Sequence, residues 1–181
     1  MEISHYDLCR KTAEKFLRDS WIVLYEYQSY STNEFPDVLR FKNGCTWLYE
    51  IKVSRQDFKN DLKKECRREI KIKYSPRLVY NRRQLKVSGV NWKEIGMNEF
   101  IMEAPHLGRR RYYVCPSGLI QPDEVKNGWG LYWFTGKKFV LKKESGMFKA
   151  NIYDEMKILE HAFRKYADGI HDNILVHKYI K

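Results

Sequence analysis

Two amphipathic segments near the ends of the chain have the periodicity of helices. In residues 4–19, apolar side chains recur at intervals of three or four, and Ser4 with Asp7 forms a capping-box pattern at the start. The same periodicity recurs in residues 152–167. One face of that second helix carries the apolar residues Ile152, Met156, Leu159, Phe163 and Tyr166. We therefore expect a helix at each of these two positions.

Runs of β-branched and aromatic residues between the two helices predict strands. The first run is residues 21–28, and the next two runs flank Asn43-Gly44. Asn-Gly between such runs is a strong hairpin signal, because both residues tolerate the positive φ of a tight turn. Later runs predict three more strands, at residues 111–115, 129–134 and 138–141.

A shorter helix is predicted between the two groups of strands. Ser54 can cap its start, and Phe58 and Leu62 would form its buried stripe. The order of elements predicts an α/β (α+β) domain, with a mixed central sheet and helices on its faces. A length of 181 residues fits one domain spanning 1–181. Residues 67–108 show little pattern beyond a short strand near 78–80, and we expect them to be an insertion in that domain.

The charge of the chain indicates a polyanionic partner. Lys and Arg number 34 against 23 acidic residues, which gives a net charge of +11. Nucleic acid is the first candidate for such a domain, and an anionic membrane surface is the second. Clustered basic residues predict salt-dependent phosphate contacts without sequence specificity. The clusters are Lys63-Lys64, Arg67-Arg68, Arg82-Arg83, Arg109-Arg110-Arg111, Lys137-Lys138 and Lys142-Lys143.

Other features of the sequence narrow the class of protein. No stretch approaches the roughly 18 consecutive apolar residues of a membrane span, and the N-terminus lacks the charged-then-apolar order of a signal peptide. The four cysteines are scattered without a CxxC pair, which argues against a zinc site and against a disulfide framework. The five histidines lack the spacing of a histidine-metal nuclease. We expect a cytoplasmic protein that does not bind membranes.

The hairpin predicts a charged site at one end of the sheet. A turn centred between Asn43 and Gly44 places Asp37 opposite Glu50, and alternation along the strand places Lys52 on the same face. Like charges directly opposite each other destabilise a sheet, and a divalent cation between the two carboxylates would remove that conflict. Mg²⁺ (or Mn²⁺) suits these hard oxygen donors, and the backbone carbonyl of the residue between Glu50 and Lys52, Ile51, could supply another oxygen.

These three side chains suit the hydrolysis of a phosphodiester. A metal ion can acidify water and clamp phosphate oxygens, while Lys52 can orient the attacking water or neutralise developing charge. Taken singly, Asp37 is compatible with the end of a turn, Glu50 with a solvated edge and Lys52 with a surface charge. Their shared face, together with the basic helix that follows, favours a catalytic site.

The same residues resemble a known family of enzymes. Pro36-Asp37 followed by Glu50-Ile51-Lys52 is similar to the motif of the PD-(D/E)XK nuclease superfamily. The stretch that begins at Glu50 looks like the corresponding stretch of MmcB-like bacterial DNA repair proteins and related phage nucleases. The resemblance implies a restriction-endonuclease-like fold, in which Asp37 and Glu50 bind metal and Lys52 is catalytic.

The resemblance also implies the substrate. It implies Mg²⁺-dependent cleavage of DNA, with RNA the weaker candidate. Many members of the superfamily pair as homodimers, and the sequence leaves the oligomeric state of this chain open. An additional acidic residue from the first helix or strand is expected in the site. Glu14 and Glu26 are the candidates, and Glu26 is preferred because its spacing is closer to the MmcB-like pattern.

Some interpretations stay open at this point. A catalytically inactive nucleic-acid-binding domain of the same fold is one alternative to the nuclease, and a basic adaptor that binds an acidic protein is another. Ser54 and Asp57 are explained either as a helix cap or as residues that lie behind the metal. Asp61 either pairs with Lys64 or lies near the metal.

Overall fold

The fold is described by a computed structural model of the chain, in residues 3–28, 35–63, 69–73, 92–96, 99–103 and 107–177. Within these ranges the helices are α1 (His5–Leu17), α2 (Arg55–Asp61) and α3 (Ile152–Ala167). The strands are β1 (Ile22–Tyr25), β2 (Val38–Lys42), β3 (Cys45–Ile51), β4 (Glu69–Lys73), β5 (Trp92–Gly96), β6 (Glu99–Glu103), β7 (Arg110–Pro116), β8 (Gly130–Phe134), β9 (Phe139–Lys143) and β10 (Ile174–Val176).

Seven of these strands form one mixed sheet, in the order β10-β1-β2-β3-β7-β8-β9. The β3–β7 and β7–β8 pairs are parallel and the other pairs are antiparallel. The predicted α/β class is therefore confirmed. Strands β4, β6 and β5 form a separate three-stranded antiparallel sheet, and they come from the segment expected to be an insertion.

Both faces of the central hairpin are covered, as its apolar content on both sides predicts. On one face, α1 packs against β3, and the ring of Phe16 stacks on Tyr49 with centroids 4.4 Å apart. On the other face, Leu48 packs with Phe58 of α2, and Leu39 packs with Ile158 of α3. The hairpin therefore has α1 on one face and α2 and α3 on the other.

The hairpin turn has the two-residue form that Asn-Gly predicts. Asn43 and Gly44 have φ angles of 50° and 67°, both in the left-handed region. The register pairs Leu39 with Leu48 and continues along the whole of β2. The predicted register is thus confirmed, because a slip by one residue would have reversed every side chain on one strand.

A close contact joins the start of β7 to the centre of the sheet. Gly108 has a φ of 81°, and a Cβ atom there would lie 2.6 Å from the Cβ of Leu48. The same segment is anchored to α3, because Glu155 Oε1 accepts hydrogen bonds from the Gly108 N–H at 2.8 Å and from Thr46 Oγ1 at 2.7 Å. Burial raises the pKa of Glu155 above its ordinary value.

Helix α3 has the predicted bounds but packs on the sheet with a different face. Met156 and Phe163, from the predicted apolar stripe, are 57% and 70% exposed. The buried residues of the helix are Glu155, Ile158 and Ala162, and Tyr166 of the predicted stripe packs against the same cluster. The hydrogen bonds of Glu155 turn this face inward, and apolar periodicity does not register a buried carboxylate.

Several boundaries also differ from expectation. Strand β1 ends at Tyr25, shorter than the predicted strand, because Glu26 adopts a φ of 46° that leaves the extended conformation. The strand expected near 78–80 and the basic clusters Arg67-Arg68 and Arg82-Arg83 lie outside the described residues. Across the part of the chain that the structure describes, we find no helix with the length and apolar character needed to cross a membrane.

Candidate functional site

The candidate site lies where β2 begins and β3 ends. Asp37 immediately precedes β2, so the hairpin register brings it beside the last residues of β3. The backbone N–H of Ile51 donates to Asp37 Oδ2 at 2.7 Å. The backbone N–H of Lys52 donates to the carbonyl of Val114 on β7 at 2.9 Å. Asp37 and Lys52 are therefore fixed to the same edge of the sheet.

The ammonium group of Lys52 lies among three carboxylates. Its Nζ is 3.3 Å from Glu50 Oε2, 3.4 Å from Asp61 Oδ1 and 3.9 Å from Asp37 Oδ2. Lys52 is 2% exposed and Glu50 is 1% exposed. Burial alone would lower the pKa of Lys52, but Glu50, Asp37 and Asp61 together raise it above its ordinary value. Lys52 is therefore an ammonium cation at neutral pH.

Helix α2 supplies the third of these carboxylates. Ser54 caps the helix, since its side chain accepts from the backbone N–H of Asp57 at 3.1 Å. Asp61 is 1% exposed and also accepts a hydrogen bond from the hydroxyl of Tyr113 on β7 at 2.9 Å. The prediction that Leu62 is buried is wrong, because Leu62 is 39% exposed. Asp61 occupies the inward position instead, near Lys52.

A second group of polar side chains lies on the α1 side of Asp37. Glu26 Oε1 is 3.0 Å from His5 Nδ1 and 3.1 Å from Cys9 Sγ. His5 Nε2 is 3.5 Å from Asp37 Oδ2. The hydrogen bond to Asp37 is the main reason that the pKa of His5 is raised, and burial opposes it. His5 thus connects Glu26 to Asp37.

The two candidates for an additional acidic residue lie in different places. Glu26 reaches the site through His5, and its backbone N–H donates to the carbonyl of Asp37 at 2.8 Å. Glu14 instead forms an ion pair with Arg10 at 3.5 Å on the outer side of α1. Of the two candidates, Glu26 is the one whose side chain lies near Asp37, and its role in the site stays a prediction. Whether the Ile51 carbonyl is a ligand stays a prediction.

His5 and Cys9 are site residues that sequence reasoning missed. His5 fits no histidine motif, and Cys9 belongs to no CxxC pair. His5 and Cys9 are four residues apart on a predicted helix, which places them on one face. That spacing was the available signal. Glu26 comes from a distant strand, and its approach to this pair depends on tertiary packing.

Among the described residues, some of the clustered basic side chains are bound within the protein and others are exposed. Arg111 is 3% exposed and donates to the carbonyls of Leu107 and Gly108, so it cannot contact a phosphate. Lys143 donates to the carbonyls of Pro122 and Val125. Other basic residues line a groove of about 460 Å³ between α1 and the β8–β9 turn. They are Lys11, Lys15, Arg18, Lys137 and Lys138.

Comparison with known proteins supports the fold. No family model matches the chain, and no curated protein matches it. The solved structure of a protein of unknown function from Silicibacter pomeroyi matches with a TM-score of 0.55 and 14% sequence identity, over 100% of both chains. At this identity the likeness concerns the fold alone. The resemblance to PD-(D/E)XK nucleases stays a prediction, and function has to be argued from the site.

Proposed function

We propose that the protein is a nuclease that hydrolyses DNA phosphodiester bonds with Mg²⁺ or Mn²⁺, as members of the PD-(D/E)XK superfamily do. The observation that carries the proposal is the buried ammonium group of Lys52, within 3.9 Å of the carboxylates of Asp37, Glu50 and Asp61. The three carboxyl groups therefore converge on one point at the edge of the sheet. Carboxylate oxygens gathered in this way are suited to binding a divalent cation.

The donor atoms fit a hard divalent cation. Asp37 and Glu50 offer carboxylate oxygens, which Mg²⁺ prefers, and one or two carboxylates are its usual protein ligands. Asp37 is 20% exposed, so the site is open to solvent and to a substrate on that side. When bound by these two residues, the ion would supply Lewis acidity toward a phosphate oxygen and a lower pKa for water.

The charge state of Lys52 defines what it contributes. As an ammonium cation it can donate hydrogen bonds to an attacking water or to a phosphate oxygen. It would therefore orient that water or stabilise the negative charge that develops on the phosphate. Asp61 and Tyr113 act as positioning residues, because the Tyr113 hydroxyl holds Asp61 and Asp61 holds the Lys52 Nζ. These contacts restrict the Lys52 side chain to the site.

The basic groove supports a nucleic acid as the substrate. Strands β3, β7 and β8 are parallel neighbours, so the C-terminal ends of β3 and β8 lie at the same edge of the sheet, two strand spacings or about 10 Å apart. Lys52 follows β3, and the turn with Lys137 and Lys138 follows β8. A phosphate backbone that crosses this edge would contact both places. Lys and Arg side chains provide such contacts without sequence specificity.

Cleavage assays with defined substrates test the proposal. Supercoiled plasmid, linear duplex and single-stranded DNA would be incubated with the protein in Mg²⁺, in Mn²⁺ and in EDTA. We expect cleavage of at least one substrate with either metal and none in EDTA. The forms of DNA that are cut would also define the substrate class.

A pair of matched variants distinguishes cleavage at the proposed site from cleavage by a contaminating nuclease. Glu50→Gln removes one proposed ligand, whereas Glu160→Gln changes an exposed glutamate on α3. We expect cleavage to be lost in the first variant and retained in the second. Absence of cleavage by the wild-type protein on every substrate, or equal cleavage by both variants, would refute the nuclease proposal.

A further inference from the structure

His5, Cys9 and Glu26 form a cluster of donor atoms beside Asp37, one of the two proposed magnesium ligands. The three atoms involved are His5 Nδ1, Cys9 Sγ and Glu26 Oε1, and each lies close to the other two. Their separations are 3.0 Å between nitrogen and oxygen, 3.1 Å between sulfur and oxygen, and 3.6 Å between sulfur and nitrogen. The three atoms therefore form a compact triangle of nitrogen, sulfur and oxygen.

This triangle is close to the size that one tetrahedral metal ion requires. Zn²⁺ binds nitrogen, oxygen and sulfur at about 2.0–2.3 Å, which separates neighbouring ligand atoms by roughly 3.3–3.6 Å. The observed separations differ from these values by a few tenths of an ångström. Small rotations of the side chains are enough to accommodate an ion. A mixed imidazole, thiolate and carboxylate set favours Zn²⁺ over Mg²⁺, which prefers oxygen alone.

The surroundings of the triangle resemble those of a metal-bound histidine. A histidine that binds metal through one ring nitrogen usually donates its other N–H to a carboxylate, which fixes the ring. His5 Nε2 faces Asp37 Oδ2 in this way, at 3.5 Å, while Nδ1 faces the triangle. Glu26 is held in place by a backbone φ of 46°, an unusual conformation for a residue other than glycine, and such conformations cluster at functional sites.

We propose that His5, Cys9 and Glu26 bind a divalent transition-metal ion of the Zn²⁺ class, at a site beside the proposed magnesium site. On binding, coordinate bonds form from His5 Nδ1, Cys9 Sγ and Glu26 Oε1 to the ion. The thiol proton of Cys9, and any proton on His5 Nδ1, pass to solvent. His5 and Glu26 are 37% and 32% exposed, so solvent can reach the cluster and a water could supply a fourth ligand.

The proposal does not rest on nuclease activity. Its ligands are distinct from Asp37, Glu50 and Lys52. Asp37 connects the two sites, because its side chain contacts His5 and its backbone carbonyl accepts from the Glu26 N–H. Binding of the transition metal is therefore measured without DNA. Failure of cleavage in Mg²⁺ would leave this proposal standing, and failure to bind a transition metal would leave the nuclease proposal standing.

Cobalt binding followed by absorption spectroscopy tests the proposal. Co²⁺ replaces Zn²⁺ at such sites, and a thiolate ligand gives a sulfur-to-cobalt charge-transfer band in the near ultraviolet. The full-length wild-type protein, stripped with EDTA, would be titrated with Co²⁺ in the presence of excess Mg²⁺. We expect the band to develop to one equivalent and to disappear when Zn²⁺ is added.

Two cysteine variants make the test specific. Cys9→Ser removes the proposed sulfur ligand, and Cys115→Ser changes a second thiol that is also fully buried. We expect the band to be absent in Cys9→Ser and unchanged in Cys115→Ser. No band in the wild-type protein, or a band that survives Cys9→Ser, would overturn the proposal.

If Cys9→Ser fails to fold, a variant of the partly exposed His5 tests the proposal independently. His5→Gln should weaken Co²⁺ binding by at least about tenfold, the lower end of the loss caused by removing even an outer partner of a metal-bound histidine. Circular dichroism would establish that this variant is folded. Unchanged Co²⁺ affinity in folded His5→Gln would overturn the proposal.

Discussion

Replacing Lys52 with methionine removes a positive charge from among three carboxylates while keeping most of the side-chain volume. Lys52 is 2% exposed, and Glu50 and Asp61 are each 1% exposed. The ion pairs of 3.3 Å and 3.4 Å would be lost, while the carboxylates would stay buried. We therefore expect Lys52→Met to destabilise the folded protein when no divalent metal is present.

The magnitude follows from the burial of the partners. Removing one member of a buried ion pair costs about 3–5 kcal/mol, because the other charge stays in a place of low polarity. The lower end of this range applies here, since the Tyr113 hydroxyl still donates to Asp61 and Asp37 is partly exposed. A loss of about 3 kcal/mol corresponds to a decrease in Tm of roughly 6–12 °C for a domain of this size.

Thermal and urea denaturation in EDTA at neutral pH would measure this loss. Lys138→Met serves as the control, because Lys138 is exposed and its replacement should change stability by less than about 0.5 kcal/mol. Adding Mg²⁺ should recover part of the loss in Lys52→Met, since an ion that binds the folded state stabilises it. If the free energies of unfolding of Lys52→Met and the wild-type protein in EDTA differ by less than about 1 kcal/mol, the electrostatic account of the site is wrong.

Three further predictions concern the fold and the surface. Gly108→Ala should cost at least about 2 kcal/mol more than Gly118→Ala in urea denaturation, because both glycines have a φ of 81° but only the first approaches the central strand. Burial raises the pKa of Glu155 in the folded state, so the stability that this carboxyl contributes is present below about pH 4.5 and is lost as the pH rises above it. The Tm of the wild-type protein relative to that of Glu155→Gln should therefore fall as the pH rises above 4.5. If Lys137 and Lys138 contact phosphates, replacing both with alanine should weaken the salt dependence of DNA binding. The slope of the logarithm of the binding constant against the logarithm of the salt concentration, measured by fluorescence anisotropy, should become less steep by about 1.8. Identical stabilities of the two glycine variants, identical pH profiles or an unchanged salt slope would contradict the respective argument.

The fold was largely predictable because its signals are local. The Asn43-Gly44 turn fixes the hairpin register through backbone geometry alone, and that register brings Asp37 to the end of β3. Ser4 and Ser54 mark the helix starts through hydrogen bonds within three residues of the chain. Such short-range rules hold without knowledge of tertiary structure.

The parts that were not predicted depend on distant contacts. Leu62 was expected to be buried from its spacing with Phe58, but Lys52 attracts Asp61 into that position instead. The inward face of α3 is set by a buried glutamate that hydrogen-bonds to Thr46 on another element. Apolar periodicity cannot detect either case, because both inward residues are charged.

Divalent-metal-dependent cleavage of plasmid DNA by wild-type protein and Asp37→Asn tests the central claim most directly. Both proteins would be compared in single-turnover assays with Mg²⁺, and Asp168→Asn, at an exposed aspartate after α3, would serve as the matched control. The account predicts cleavage by the wild-type protein and the control, and a rate at least about 100-fold lower for Asp37→Asn, since loss of a metal ligand removes several kcal/mol of transition-state stabilisation. Equal rates for Asp37→Asn and wild type, or no cleavage by any of the three proteins, would contradict it.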